Sequence, residues 1–127
     1  MKVYTTLHMG QHHINHCEDY LMIAEIGTNK FLYAVMDGCS TGTDSYFAST
    51  LIGKILRKIA KENYFKDFVE KEKRNSAQVL KIALKELFEA LRDAKVRLQL
   101  AREEMLSTLV IAVVDSVERS GEFYVRR

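Results

Sequence analysis

The spacing of apolar residues changes several times along the chain, and each change marks an element. Residues 20–26 (YLMIAEI) and 31–36 (FLYAVM) are short apolar runs separated by Gly27-Thr28-Asn29-Lys30, a turn sequence. They predict the two strands of a hairpin. FLYAVM is apolar at every position, so it is expected to be a central strand covered on both faces. Residues 2–7 (KVYTTL) are also β-prone.

From Phe47 the period becomes helical. Phe47, Leu51, Ile55 and Ile59 recur at every fourth position, with Ala48, Ile52, Leu56 and Ala60 as a second row beside them. Lys54, Arg57, Lys58 and Lys61 take the other face. This predicts one amphipathic helix over 44–62, capped by Asp44 or Ser45. A glycine inside a helix costs about 1 kcal/mol against alanine, so Gly53 points to a close packing contact. Residues 63–75 (NYFKDFVEKEKRN) read as a charged, partly helical connector. A second helix follows, capped by Asn75 or Ser76 and expected to run to 103. Its apolar face carries Val79, Leu80, Ala83, Leu84, Leu87, Phe88 and Leu91. STLVIAVVD (107–115) predicts a buried strand, Val117 to Gly121 a turn, and EFYVRR a further strand. Strands, two helices and strands again make an α+β fold with helices against a sheet.

Composition narrows the function without naming it. The 127 residues suffice for a single domain with a real core, and they contain no repeat, linker or low-complexity tract. A net charge of +2, mixed in sign along the chain, gives no argument for nucleic acid or for an anionic membrane as partner. The longest apolar runs, such as Leu109 to Val114, are far shorter than a membrane span. MKVYTTLHMGQHH has no apolar core of the kind a signal peptide needs. Two cysteines, Cys17 and Cys39, fit a reducing cytoplasm better than a disulfide framework.

The candidate chemistry lies at the ends of the predicted hairpin. Glu18-Asp19 precedes its first strand and Asp37-Gly38 closes its second. A turn centred on Thr28 sets Asp19 opposite Asp37, and a centre half a residue later sets Asp19 opposite Gly38. Opposed residues have Cβ atoms about 4.5–5.5 Å apart, and like charges there are unfavourable without a counter-charge. A hard divalent cation with oxygen ligands, Mg²⁺ or Mn²⁺, meets that need. The Gly38 carbonyl could join the carboxylates as a ligand. The plainer alternative is a pair of solvated strand-end acids that never meet.

These residues resemble the N-terminal half of the metal-dependent protein serine/threonine phosphatases, the protein phosphatase 2C family. The family's Asn-Glu-Asp motif is similar to Cys17-Glu18-Asp19, and its Asp-Gly-x-Gly-Gly motif to Asp37-Gly38-Cys39-Ser40-Thr41. Its Gly-Ser/Thr-Thr-Ala strand is similar to Leu106-Ser107-Thr108-Leu109. The motifs come in the family's order, the two helices sit where the family has them, and the likeness covers nearly the whole chain. It implies part of a β-sandwich flanked by helices, one half of the family's domain, spanning residues 1–127. It further implies a binuclear Mn²⁺ or Mg²⁺ centre whose activated water hydrolyses phosphoserine and phosphothreonine in a phosphoprotein substrate. Asp37 would bridge the metals and Gly38 would give its carbonyl. Glu18 and Asp19 would ligate one metal directly or through water, so that Asp37 and Asp19 carry the catalysis.

The sequence also departs from that family. Ile14 stands where an arginine usually holds the substrate phosphate, leaving His12 and His13, with His16 nearby, as the phosphate-binding candidates. Ser40 and Thr41 replace glycines, and Leu106 stands where glycine is usual. The family's later Asp-Gly and Asp-Asn motifs, which supply further ligands, have no counterpart here. The chain is therefore expected to be a truncated portion of such a domain, inactive by itself and prone to self-association through its uncovered surface. A non-catalytic phosphatase-like module that binds a partner or phosphoprotein is the competing reading, and a regulator of bacterial partner switching is a third. A zinc cluster at His12, His13, His16 and Cys17, or a Cys17–Cys39 redox pair, is less favoured than solvated histidines and ordinary thiols.

Overall fold

A computed structural model describes residues 19–38, 45–69, 74–105, 107–117 and 120–126. The elements are β1 (Asp19–Gly27), β2 (Lys30–Gly38), α1 (Ser45–Val69), α2 (Ser76–Arg97), a 3-10 turn (Arg102–Met105), β3 (Ser107–Asp115) and β4 (Ser120–Arg126). The fold is α+β. The strands form one antiparallel sheet in the order β1-β2-β3-β4, with both helices on one face. Met22, Leu32, Met36, Ile111 and Val113 point from the sheet into the core. Ile52, Leu56 and Ile59 of α1 meet them there, with Val79, Leu80, Ala83 and Leu87 of α2.

The helices differ from the sequence expectation at their ends, for identifiable reasons. α1 runs through Val69 rather than stopping at 62. Buried Asn63 donates to the Ile59 carbonyl at 2.8 Å and to Glu86 Oε2 of α2 at 3.3 Å. One turn later, Asp67 Oδ2 accepts the Thr28 backbone N–H at 2.8 Å, pinning the end of α1 to the β1–β2 turn. α2 starts as expected, with Asn75 and Gln78 exchanging side chain to backbone bonds in a capping box. It stops at Arg97, short of 103, because Gln99 takes the left-handed conformation, φ 50°. Leu100 N–H then donates to the Lys95 carbonyl at 3.0 Å and Gln99 N–H to the Val96 carbonyl at 3.4 Å. That is a Schellman ending with glutamine in the place glycine usually holds, so the usual stop signal was missing from the sequence.

The strand expectations for the described residues hold with one correction, and residues 2–7 lie outside them. β2 is central, but it is covered on one face only. Leu32, Ala34 and Met36 are buried under the helices, whereas Phe31 and Tyr33 are half-buried and Val35 is 45% exposed. Val110 (44% exposed), Phe123 (75%) and Val125 (47%) continue this open apolar face across β3 and β4. An all-apolar strand reports two hydrophobic faces, not two neighbours.

Gly53 is the close contact its position suggested. A Cβ there would lie 2.3 Å from Cε1 and 2.5 Å from Cδ1 of the Tyr20 ring. That ring is held from both sides of its chemistry: its hydroxyl accepts from Arg57 Nε at 3.2 Å, and the guanidinium lies 5.9 Å from its centroid. Gly53→Ala is expected to lower stability by about 1 kcal/mol, since overpacking by about 1–3 kcal/mol outweighs the helix-propensity gain of about 1 kcal/mol. Thermal unfolding decides it: a higher Tm for the variant means that the ring moves aside freely.

Candidate functional site

The site is built at the end of the sheet remote from the Gly27–Lys30 turn. Thr28 and Asn29 form that turn, with Asn29 left-handed at φ 61°. Asn29 tolerates this conformation better than most residues. Gly27 pairs with Lys30, so the turn is centred half a residue beyond Thr28. That alone would set Asp19 opposite Gly38. A register shift between Glu25 and Gly27 restores the other alignment, and the ladder from Glu25↔Phe31 onward ends at Asp19↔Asp37. The bulge therefore decides which residues oppose one another at the far end.

β3 completes this end. Asp37 pairs with Thr108 and Gly38 with Ser107. Thr108 Oγ1 donates to the Asp37 carbonyl at 3.4 Å, and the one Ser107 hydroxyl proton is shared between that carbonyl at 3.1 Å and the Thr108 carbonyl at 2.9 Å. Two hydroxyls thus fix the backbone that carries the Asp37 carboxylate, which is itself exposed on the open face. Residues about 70 positions apart in the chain converge here. Asp19, Asp37-Gly38 and Ser107-Thr108 therefore meet at one edge of the sheet. The Asp37 carboxylate is a hard oxygen donor, suited to Mg²⁺ or Mn²⁺ and poorly suited to softer metals, and the Asp19 side chain lies outside what the structure describes. Among the described residues, no group of three or more His, Cys, Asp or Glu side chains stands together to hold a metal. Glu18, His12, His13, His16, Cys17 and Cys39 lie outside the described residues.

Sequence reasoning missed a cavity. A cavity of about 590 Å³ opens between α2, the 3-10 turn and the edge of the sheet. Arg92, Lys95, Arg102 and Arg126 rim it, and Leu87, Leu91 and Leu109 are among its apolar lining. The basic residues come from three separate elements, so no run of charge announces them. The apolar lining was read, correctly, as helix and strand core.

No described helix is long and apolar enough to cross a membrane. Comparison with protein-family models, curated proteins and solved structures finds no match for this chain.

Proposed function

We propose that this chain is part of a metal-dependent protein phosphatase of the protein phosphatase 2C type, supplying one portion of a Mn²⁺ or Mg²⁺ site. The observation that carries the reading is the Asp19↔Asp37 register, locked beside Ser107-Thr108. The described residues of the three motif-like segments, Asp19, Asp37-Gly38 and Ser107-Thr108, come together at one end of the sheet. The bare apolar face of the sheet gives further support, because a sandwich needs such a face to receive its second layer.

In this reading Asp19 and Asp37, with the Gly38 carbonyl and Glu18, hold the metal. His12 and His13 contribute to phosphate binding, and the substrate is a phosphoserine or phosphothreonine protein. The bound metal supplies a water ionised near neutral pH and charge stabilisation for the transferring phosphoryl group. Ser107 and Thr108 act as positioning residues: they hold the Asp37 backbone so that its carboxylate keeps one direction. The altered loop, Cys39-Ser40-Thr41, and Ile14 favour one second reading, a non-catalytic module that keeps the fold and the metal but binds a phosphoprotein without hydrolysing it.

Mn²⁺ titration of the chain, followed by electron paramagnetic resonance, tests the metal site. Saturable binding is expected, and Asp37→Asn is expected to weaken it by at least about ten-fold, the effect of losing one charged ligand. Unchanged binding in Asp37→Asn, or no binding by the parent chain, removes the proposal. p-Nitrophenyl phosphate hydrolysis by the longest natural form of the protein separates the readings. Metal binding with hydrolysis supports the enzyme, and metal binding without it supports the module.

A further inference from the structure

The basic-rimmed cavity beneath α2 borders the proposed metal site through Ser107 and Thr108, but its basic and apolar lining has no part in that chemistry. Its volume, about 590 Å³, is that of a small-molecule site. Its interior is lined by core side chains, among them Leu87 and Leu109, which are fully or almost fully buried. Around the opening stand Arg92 and Lys95 of α2, Arg102 of the 3-10 turn and Arg126 of β4. Among the described residues no carboxylate lines the cavity, and none lies within ion-pair distance of Arg92, Lys95 or Arg102. Arg126 is already oriented, with its guanidinium 5.2 Å from the centroid of the Phe88 ring at the wall. Like charges converging on one mouth repel one another, and an anion placed between them relieves that repulsion. The apolar interior beneath cannot satisfy a small hydrated anion, but it can take the hydrocarbon body of a larger one.

We infer that this cavity is a binding site for an amphipathic organic anion: an apolar body seated against Leu87, Leu91 and Leu109, ending in a carboxylate or phosphate held by Arg92, Lys95 and Arg102. Charge complementarity selects the anion, and the lining selects the apolar body. Carboxylate and phosphate share the recognition chemistry, since an arginine fork pairs with either. The site does not depend on the metal reading: it uses the apolar and basic lining, whereas Ser107 and Thr108, which also border the cavity, belong to the Asp37 end of the sheet.

Isothermal titration calorimetry with decanoate and with decyl phosphate, both below their micelle concentrations, tests the inference. One-to-one binding is expected for at least one of them, and the tighter one identifies the head group. Inorganic phosphate is expected to bind at least about ten-fold more weakly than the tighter probe, for want of apolar contact. Arg92→Gln/Arg102→Gln, which alters two exposed side chains, is expected to weaken binding by at least about ten-fold while leaving the circular dichroism spectrum unchanged. Val110→Lys, on the open face of the sheet, is expected to leave affinity unchanged. Binding that survives the double arginine change, or that is lost in Val110→Lys, places the ligand on the bare sheet and overturns the inference. Equal affinity for inorganic phosphate, or no binding of either probe, overturns it as well.

Discussion

Lys30→Met is expected to destabilise the domain by about 3 kcal/mol, measured by urea unfolding at neutral pH. Lys30 opens β2 and pairs in the ladder with Asp115, the last residue of β3. Both are buried, at 8% and 6% exposure, with Nζ 3.7 Å from Oδ2. The other carboxylate oxygen, Oδ1, accepts the Val117 N–H at 2.9 Å as the chain leaves the strand. Removing one member of a buried ion pair costs about 3–5 kcal/mol in general. The separation of 3.7 Å exceeds that of a strong charge-assisted hydrogen bond, which places the effect at the low end. Asp115→Asn is expected to cost less, because the amide oxygen still accepts from Val117 and a lysine head can reach toward water. The double change Lys30→Met/Asp115→Leu should cost less than the two single changes together, since no orphaned charge remains. A Lys30→Met variant within about 0.5 kcal/mol of the parent would show that the pair contributes nothing to stability.

Leu56→Ala is expected to cost a similar amount, about 3 kcal/mol, through a different mechanism. Leu56 is fully buried in the middle of α1, within the cluster formed by sheet and helices. Deleting its isopropyl group removes transfer free energy and leaves a cavity that rigid neighbours on the sheet cannot close. Thermal unfolding should fall by about 10 °C for a domain of this size. Phe68→Ala, at 75% exposure on the same helix, is the matched control and should move Tm little. Equal losses for the two variants would mean that α1 packs by another face.

Much of the candidate site was legible in the hairpin. The two acidic ends, the turn between them and the apolar runs that set their separation are all local, and together they bring Asp19 and Asp37 to one end of a sheet. They left two registers open, however. The turn took the centre that opposes Asp19 to Gly38, and the bulge beside Ile26 moved the ladder back to Asp37. A bulge depends on how strands twist against the layer beneath them, so a single strand does not announce it. The contact of Ser107 and Thr108 with the Asp37 carbonyl needs β3 beside β2, a pairing between distant segments that no local pattern encodes.

The amino-acid pattern alone determined the α+β class, the order of the elements, a cap at Asn75 or Ser76 and the tight approach at Gly53. Each follows from periodicity, side-chain hydrogen-bonding capacity or the missing Cβ of one residue. Tertiary structure decided where α1 ends, because the polar stretch from Asn63 stays helical only when Glu86 and Thr28 supply partners for Asn63 and Asp67. It also decided that one face of β2 stays bare, since burial depends on what packs above a strand rather than on the strand's own hydrophobicity. It assembled the basic mouth of the cavity from α2, the 3-10 turn and β4. The physical division is one of range. Local backbone and side-chain preferences act over a few residues, whereas register, coverage and charge convergence arise only when distant segments share a surface.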